Sequence, residues 1–98
     1  MPNFDISIEL RGEVDAAGDY RRLRKMMNEH GFRHNIVDKT GMHYWLPRDV
    51  FSYQGFLTRY EIMDKVHDLL TEFLPAPGVM VTESSGRCWR GLEKINLT

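Results

Sequence analysis

The chain is poor in cysteine, in net charge and in long hydrophobic runs, and each scarcity excludes something. Its one cysteine, Cys88, cannot close an internal disulfide or supply a multi-cysteine zinc or copper site, and it suits a reducing compartment. No apolar run approaches the roughly 20 residues of a membrane span. The opening Met1-Pro2-Asn3-Phe4-Asp5 has no basic stretch ahead of an apolar one, so the expectation is a cytoplasmic protein without membrane insertion. Thirteen Lys+Arg against fourteen Asp+Glu leave a formal net charge of -1, which excludes a histone-like polyelectrolyte binder. The glycine-rich signatures GxGxxG and GxxxxGK[ST] are absent, and no nucleotide or organic cofactor is expected.

What is present is enough for one core. A chain of 98 residues at 42% hydrophobic composition reads as a single domain over 1–98, with 84–98 an irregular C-terminal segment. Phe4, Ile6, Ile8 and Leu10 alternate with Asp5, Ser7, Glu9 and Arg11, the period of two that lays one strand face on a core. Asp15 is placed to cap a first helix whose apolar positions are Tyr20, Leu23, Met27 and His30, with Met26 alongside and Gly31 as the left-handed stop. Phe32 follows, able to fold back over the last turn.

Strand two is read over His34 to Asp38, then a turn at Lys39-Thr40-Gly41. Met42 to Leu46 is aromatic but runs into Pro47, which suggests an edge, bulge or loop before strand three at Asp49 to Gln54. Thr58-Arg59-Tyr60-Glu61 is a capping box, with Leu57 able to staple onto Ile62. It opens a helix with the stripe Ile62, Val66, Leu69, Leu70 and Phe73. Pro75 and Pro77 stop it, and Val79-Met80-Val81 makes strand four. The tail from Arg87 to Leu97 reads as a further strand, a hairpin partner of strand four, or an arm on another subunit. The order βαββαβ with right-handed crossovers predicts the α+β ferredoxin-like fold: a four-stranded antiparallel sheet with both helices on one face.

That fold hosts many activities, so the residues must choose among them. A phosphate-cradling loop of the acyl phosphatase kind is contradicted by the carboxylates of Arg11-Gly12-Glu13-Val14-Asp15. Phe51 and Tyr53, two apart on strand three, have the spacing of base-stacking aromatics, although the acids on the polar face of strand one would repel phosphates; the alternative is that either one fills the core or a dimer contact. Arg21, Arg24, Lys25 and Asn28 share one face of helix one, with Arg22 nearby. They form either a phosphate clamp or a solvated face. Glu61, Asp64, Asp68 and Glu72 make helix two acidic, which pushes a polyanion toward helix one.

Among the histidines, His30 and His67 fall on or beside apolar stripes and read as structural. His34 and His43 flank the strand-two hairpin near Arg33. They are either ordinary surface residues or a base and an acid for attack of a ribose 2′-hydroxyl on the adjacent phosphate. Asp5, Glu9 and Asp38 are available carboxylates, but nothing in their spacing requires a metal.

The stretch Arg22-Leu23-Arg24-Lys25-Met26-Met27-Asn28-Glu29-His30-Gly31-Phe32, continued by Ile36-Val37-Asp38, Gly41, Leu46 and Phe51, resembles the GhoS family, the small endoribonuclease antitoxins of type V toxin–antitoxin systems. The resemblance implies a ferredoxin-like domain related to the CRISPR-adaptation nucleases, a hydrolase that cleaves the single-stranded messenger RNA of a partner membrane toxin. The family's implicated arginine falls on Arg24, with Arg22 also matching, and its implicated aromatic falls on Phe51. The Tyr44-Trp45 and Pro47 positions and the tail from Ser84 depart from the family.

The expectation is therefore a single-stranded RNA endoribonuclease. Arg24, His34 and His43 would be catalytic, and Arg21, Arg22, Lys25, Arg33, Phe51 and Tyr53 would bind RNA. The rival is a non-catalytic homodimeric interaction module that uses an edge strand and the Tyr44-Trp45 patch. A ligand-sensing domain of the ACT kind is a third possibility on the same fold.

Overall fold

The computed structural model describes residues 1–11, 16–72 and 76–95, with the side chains of 16–18 left aside. The elements are β1 (Asn3–Glu9), α1 (Ala16–Glu29), β2 (Asn35–Val37), β3 (His43–Trp45), β4 (Val50–Gln54), α2 (Arg59–Thr71) and β5 (Gly78–Ser84). Among these residues, β4, β1 and β5 form a three-stranded antiparallel sheet in that order, and β2 and β3 form a separate antiparallel hairpin.

The expected four-stranded sheet is thus divided into three strands plus two. The link is one bridge, in which the Arg33 and Ser52 backbones exchange hydrogen bonds of 2.8 and 2.7 Å. Beyond it the main chain of Asn35 no longer pairs with β4; its carbonyl accepts from the Ser52 hydroxyl at 2.9 Å. The segment Met42 to Leu46 contains a true strand. Asp38 makes this possible, because its Oδ1 accepts from the Thr40 amide, the Thr40 hydroxyl and the Met42 amide at 2.9, 2.6 and 3.0 Å, locking the turn that aligns β3 with β2. These bonds hold the Asp38 carboxyl below its ordinary pKa, the Thr40 hydroxyl contributing most.

The alternation in β1 sends Phe4, Ile6 and Ile8 to one side, where they meet Phe51 of β4 and the buried positions of both helices, Leu23 and Met27 from α1 and Ile62, Val66 and Leu70 from α2. One core shared in this way puts the two helices on the same face of the three-stranded sheet. Helix α1 closes as its sequence demands. Gly31 takes φ +86, its amide reaches Asn28 O at 3.2 Å, and the Phe32 amide reaches Met27 O at 2.8 Å while its ring is buried beneath the turn. His30, expected at the end of the apolar stripe, is exposed, because the chain has already turned into this cap. The positions of Asp15 and Phe73 lie outside the described residues.

Helix α2 begins at the capping box. Thr58 Oγ1 accepts from the Glu61 amide at 3.1 Å, and Glu61 Oε1 accepts from the Thr58 amide at 2.9 Å. Glu61, Asp64, Asp68 and Glu72 are all exposed. Gly55, just before this helix, is required by Tyr53, since a Cβ there would collide with the tyrosine ring and hydroxyl.

The tail pairs within its own chain, with β3 rather than as a hairpin partner of β5. Strand β5 extends to Ser84, and Arg87 then pairs with Asp5 at 2.6 Å and donates to the Phe4 carbonyl at 3.2 Å. Trp89 meets Tyr44 edge-on, and residues 93–95 pair with the outer edge of β3 through Trp45 N to Glu93 O and Ile95 N to His43 O. The tail therefore crosses the sheet face opposite the helices.

Candidate functional site

The chemistry-bearing groups gather where α1 meets the divided edge of the sheet. His34 sits between the Arg33 bridge and the start of β2. The residue is 6% exposed, and its ring centroid lies 4.9 Å from that of Phe51 and 6.1 Å from that of Trp45. Nδ1 lies 3.0 Å from the Val50 carbonyl. A carbonyl only accepts, so Nδ1 carries the proton and Nε2 holds the lone pair of the neutral ring. Nε2 has no hydrogen-bond partner among the described residues.

Burial holds the imidazole below its ordinary pKa of 6.5. The Val50 hydrogen bond opposes that shift, the nearby Arg24 guanidinium adds to it, and Asp49 opposes it more weakly. The result at neutral pH is an uncharged imidazole whose Nε2 lone pair has no partner among the described residues.

Arg21, Arg24 and Lys25 are exposed, and none of their charged groups has an ion-pair partner among the described residues. Arg22 differs, because it lies 3.8 Å from Asp19 one turn earlier. Arg48, on the loop from β3 to β4, stacks 4.2 Å above the Tyr20 ring and adds a further cation beside α1. Trp45 supplies the exposed aromatic surface of this margin at 43% exposure.

The other sequence candidates separate from this cluster. Phe51 is 0% exposed, packed under His34 in the core, and has no ring face for a base. Tyr53 is half-buried between Phe4 and Phe32, at centroid distances of 5.9 and 5.6 Å, and its hydroxyl accepts from the Leu57 amide at 3.4 Å. Both face the helices because β4 pairs Phe51 with Ile6 and Tyr53 with Phe4, the core positions of β1. Alternation alone could not say which of the two strand faces was the inner one.

His43 opposes Val37, whereas His34 lies beside Leu46, whose amide donates to the His34 carbonyl. The two histidines are three positions apart along the hairpin, roughly 10 Å at the usual strand rise, and do not form a pair. His43 instead receives the Asn35 carboxamide at 3.2 Å on Nδ1. Arg33 is exposed beside the bridge, on the opposite side of β2 from the His34 ring.

The carboxylates considered for a metal are occupied separately. Asp5 is on Arg87, Glu9 on Arg11 at 3.2 Å, and Asp38 is in its turn. No group of three His, Cys, Asp or Glu among the described residues is arranged to hold a metal ion. The Tyr44-Trp45 edge is closed by the chain's own residues 93–95, and Tyr44 is further engaged with Trp89 and with Asp38 at 3.3 Å. That phenol is raised above its ordinary pKa, first by desolvation and then by the Asp38 charge.

Arg48, Asp49 and Trp45 were missed as members of this site. Arg48 and Asp49 follow Pro47 in a loop, and only the packing of that loop against α1 gives them a role. No model of a known family matches the chain, and no curated protein matches it. No helix among the described residues is long and apolar enough to cross a membrane.

Proposed function

We propose that this protein is a ferredoxin-like endoribonuclease that binds single-stranded RNA along the exposed face of α1 and cleaves it at His34 and Arg24. The observation that supports this reading is the His34 imidazole, neutral, with Nδ1 committed to Val50, Nε2 without a hydrogen-bond partner, and the charge of the exposed Arg24 acting on the ring. Arg21, Lys25 and Arg48 hold flanking phosphates, and Trp45 stacks an unpaired base.

His34 Nε2 takes the proton of a ribose 2′-hydroxyl. The 2′-oxygen bonds to the adjacent phosphorus, the bond to the 5′-oxygen breaks, and the departing oxygen takes a proton from solvent. Arg24 faces the charge that develops on the non-bridging oxygens. The products are a 2′,3′-cyclic phosphate and a 5′-hydroxyl end. The resemblance of the α1 segment to the GhoS antitoxins supplies the biological reading, in which the substrate is the transcript of a small membrane toxin.

The experiment is incubation of the purified protein with mixed single-stranded RNA, with and without EDTA, beside Arg24→Ala and His34→Gln. Cleavage that persists in EDTA, leaves cyclic phosphate ends and falls about 10²-fold or more in both variants is the expected result. Undiminished cleavage by Arg24→Ala, or 5′-phosphate products that vanish in EDTA, would overturn the assignment.

A further inference from the structure

The division of the sheet leaves a cavity on the far side of β2 from His34. Where β2 departs from β4 after the Arg33–Ser52 bridge, a groove of about 510 Å³ opens toward the start of β1, within the range of small-molecule sites. Its polar lining residues are Asn3, Asn35, Gln54, Ser52, Tyr53, Arg33 and Arg87, and no acidic residue lines it. Met1, Ile36 and Val37 give it an apolar wall.

Most of these polar groups are unspent. The side chains of Asn3, Gln54 and Arg33 have no hydrogen-bond or ion-pair partner among the described residues. Asn35 is held in one orientation, because its amide nitrogen is on His43 Nδ1, which leaves Oδ1 free to accept. Arg87 is tethered by Asp5 and the Phe4 carbonyl at the border of the groove, which fixes where its charge stands.

We infer that this groove is a subsite for one unpaired nucleotide, its base read by the carboxamides of Asn3, Asn35 and Gln54 and its phosphate met by Arg33. A carboxamide offers a donor and an acceptor side by side, the complement of a base edge, and a guanidinium meets phosphate in the same planar way. The subsite deepens the endoribonuclease reading and rests on it for the polymer. Arg33 and Asn35 flank His34 in sequence, so the groove and the imidazole occupy opposite sides of the same short segment. The groove is then the source of sequence bias, and His43 acts as a positioning residue for Asn35.

The test follows the side-chain amide signals of Asn3, Asn35 and Gln54 by NMR while the full chain is titrated with each of the four nucleoside 5′-monophosphates and, separately, inorganic phosphate. Saturable shifts at these amides, tighter by about fivefold or more for one base than for another, are expected. Asn3→Ala and Gln54→Ala each weaken that binding about fivefold, and together they flatten the base preference at the cut while cleavage continues. Equal responses to all four nucleotides, shifts reproduced by inorganic phosphate alone, or silence at these amides would overturn the subsite. RNA cleaved with an unchanged preference by the double variant removes the subsite and leaves the cleavage centre standing. Nucleotides that bind the groove of a protein whose Arg24→Ala variant cleaves undiminished remove the cleavage centre and leave the subsite.

Discussion

Helices α1 and α2 pack on the same face of the same sheet and share one core, yet their outward faces have opposite chemistry. Helix α1 presents Arg21, Arg24 and Lys25, and helix α2 presents Glu61, Asp64, Asp68 and Glu72. Burial treats the two alike. Leu23 and Met27 on one helix and Ile62, Val66 and Leu70 on the other are fully enclosed. The outer faces therefore tell nothing about stability and a great deal about where a polyanion is attracted, because exposed charges contribute little to folding but set the local potential. The near-zero net charge of the chain conceals this separation.

The comparison can be tested from both sides. The largest effect is expected in the part the helices share. Leu23→Ala on α1 and Leu70→Ala on α2 should each cost about 2–5 kcal/mol, read from denaturant midpoints. A difference between them beyond that range would mean the helices are not equal partners in the core. On the outer faces the equivalence should vanish. Arg21→Ala with Lys25→Ala should weaken single-stranded RNA binding about tenfold or more at low salt, whereas Asp64→Asn with Asp68→Asn should not weaken it. If Arg21, Arg24, Lys25 and Arg48 each neutralise one phosphate, the logarithm of affinity should fall with the logarithm of salt at a slope of about -3. Equal losses in both pairs of variants would end the argument from charge separation.

A smaller effect distinguishes how the helices begin. Thr58→Ala removes the side-chain half of the capping box, the bond from the Glu61 amide to Thr58 Oγ1, and should cost about 1 kcal/mol in thermal or chemical unfolding without altering RNA binding. The gentlest expectation concerns His34. Its folded pKa is depressed below 6.5, so in the window just under that value the unfolded chain binds more protons than the folded one. Stability is then complete above pH 6.5 and declines as pH falls through the folded pKa. Thermal midpoints collected from pH 7 downward should show this decline, and His34→Gln should flatten it.

Much of the fold was legible in local patterns. The alternation of β1 named its buried residues, Gly31 and Phe32 marked the end of α1, and Thr58 to Glu61 marked the start of α2. These features depend on neighbours within one turn or one strand pair. The site was less legible. Alternation left Phe51 and Tyr53 between a stacking platform and the core, and pairing with β1 puts both on the core side; spacing left His34 and His43 as a pair or as separate surface residues, and the hairpin register separates them while burying His34. The strand at His43–Trp45 was obscured by Pro47, which lies just beyond its last pairing.

Hydrophobic period and capping chemistry, both short-range, were determined by the sequence by itself. They specify which residues form helices and strands, which stripe of each helix is apolar, and that the charges separate along the chain. Long-range packing settled that β2 leaves β4 after one bridge, that the tail closes the edge of β3, and that His34 is buried against Phe51. Those outcomes depend on contacts between residues far apart in the chain. There the competition is among alternative strand pairings of similar local merit, and packing of the whole core settles it.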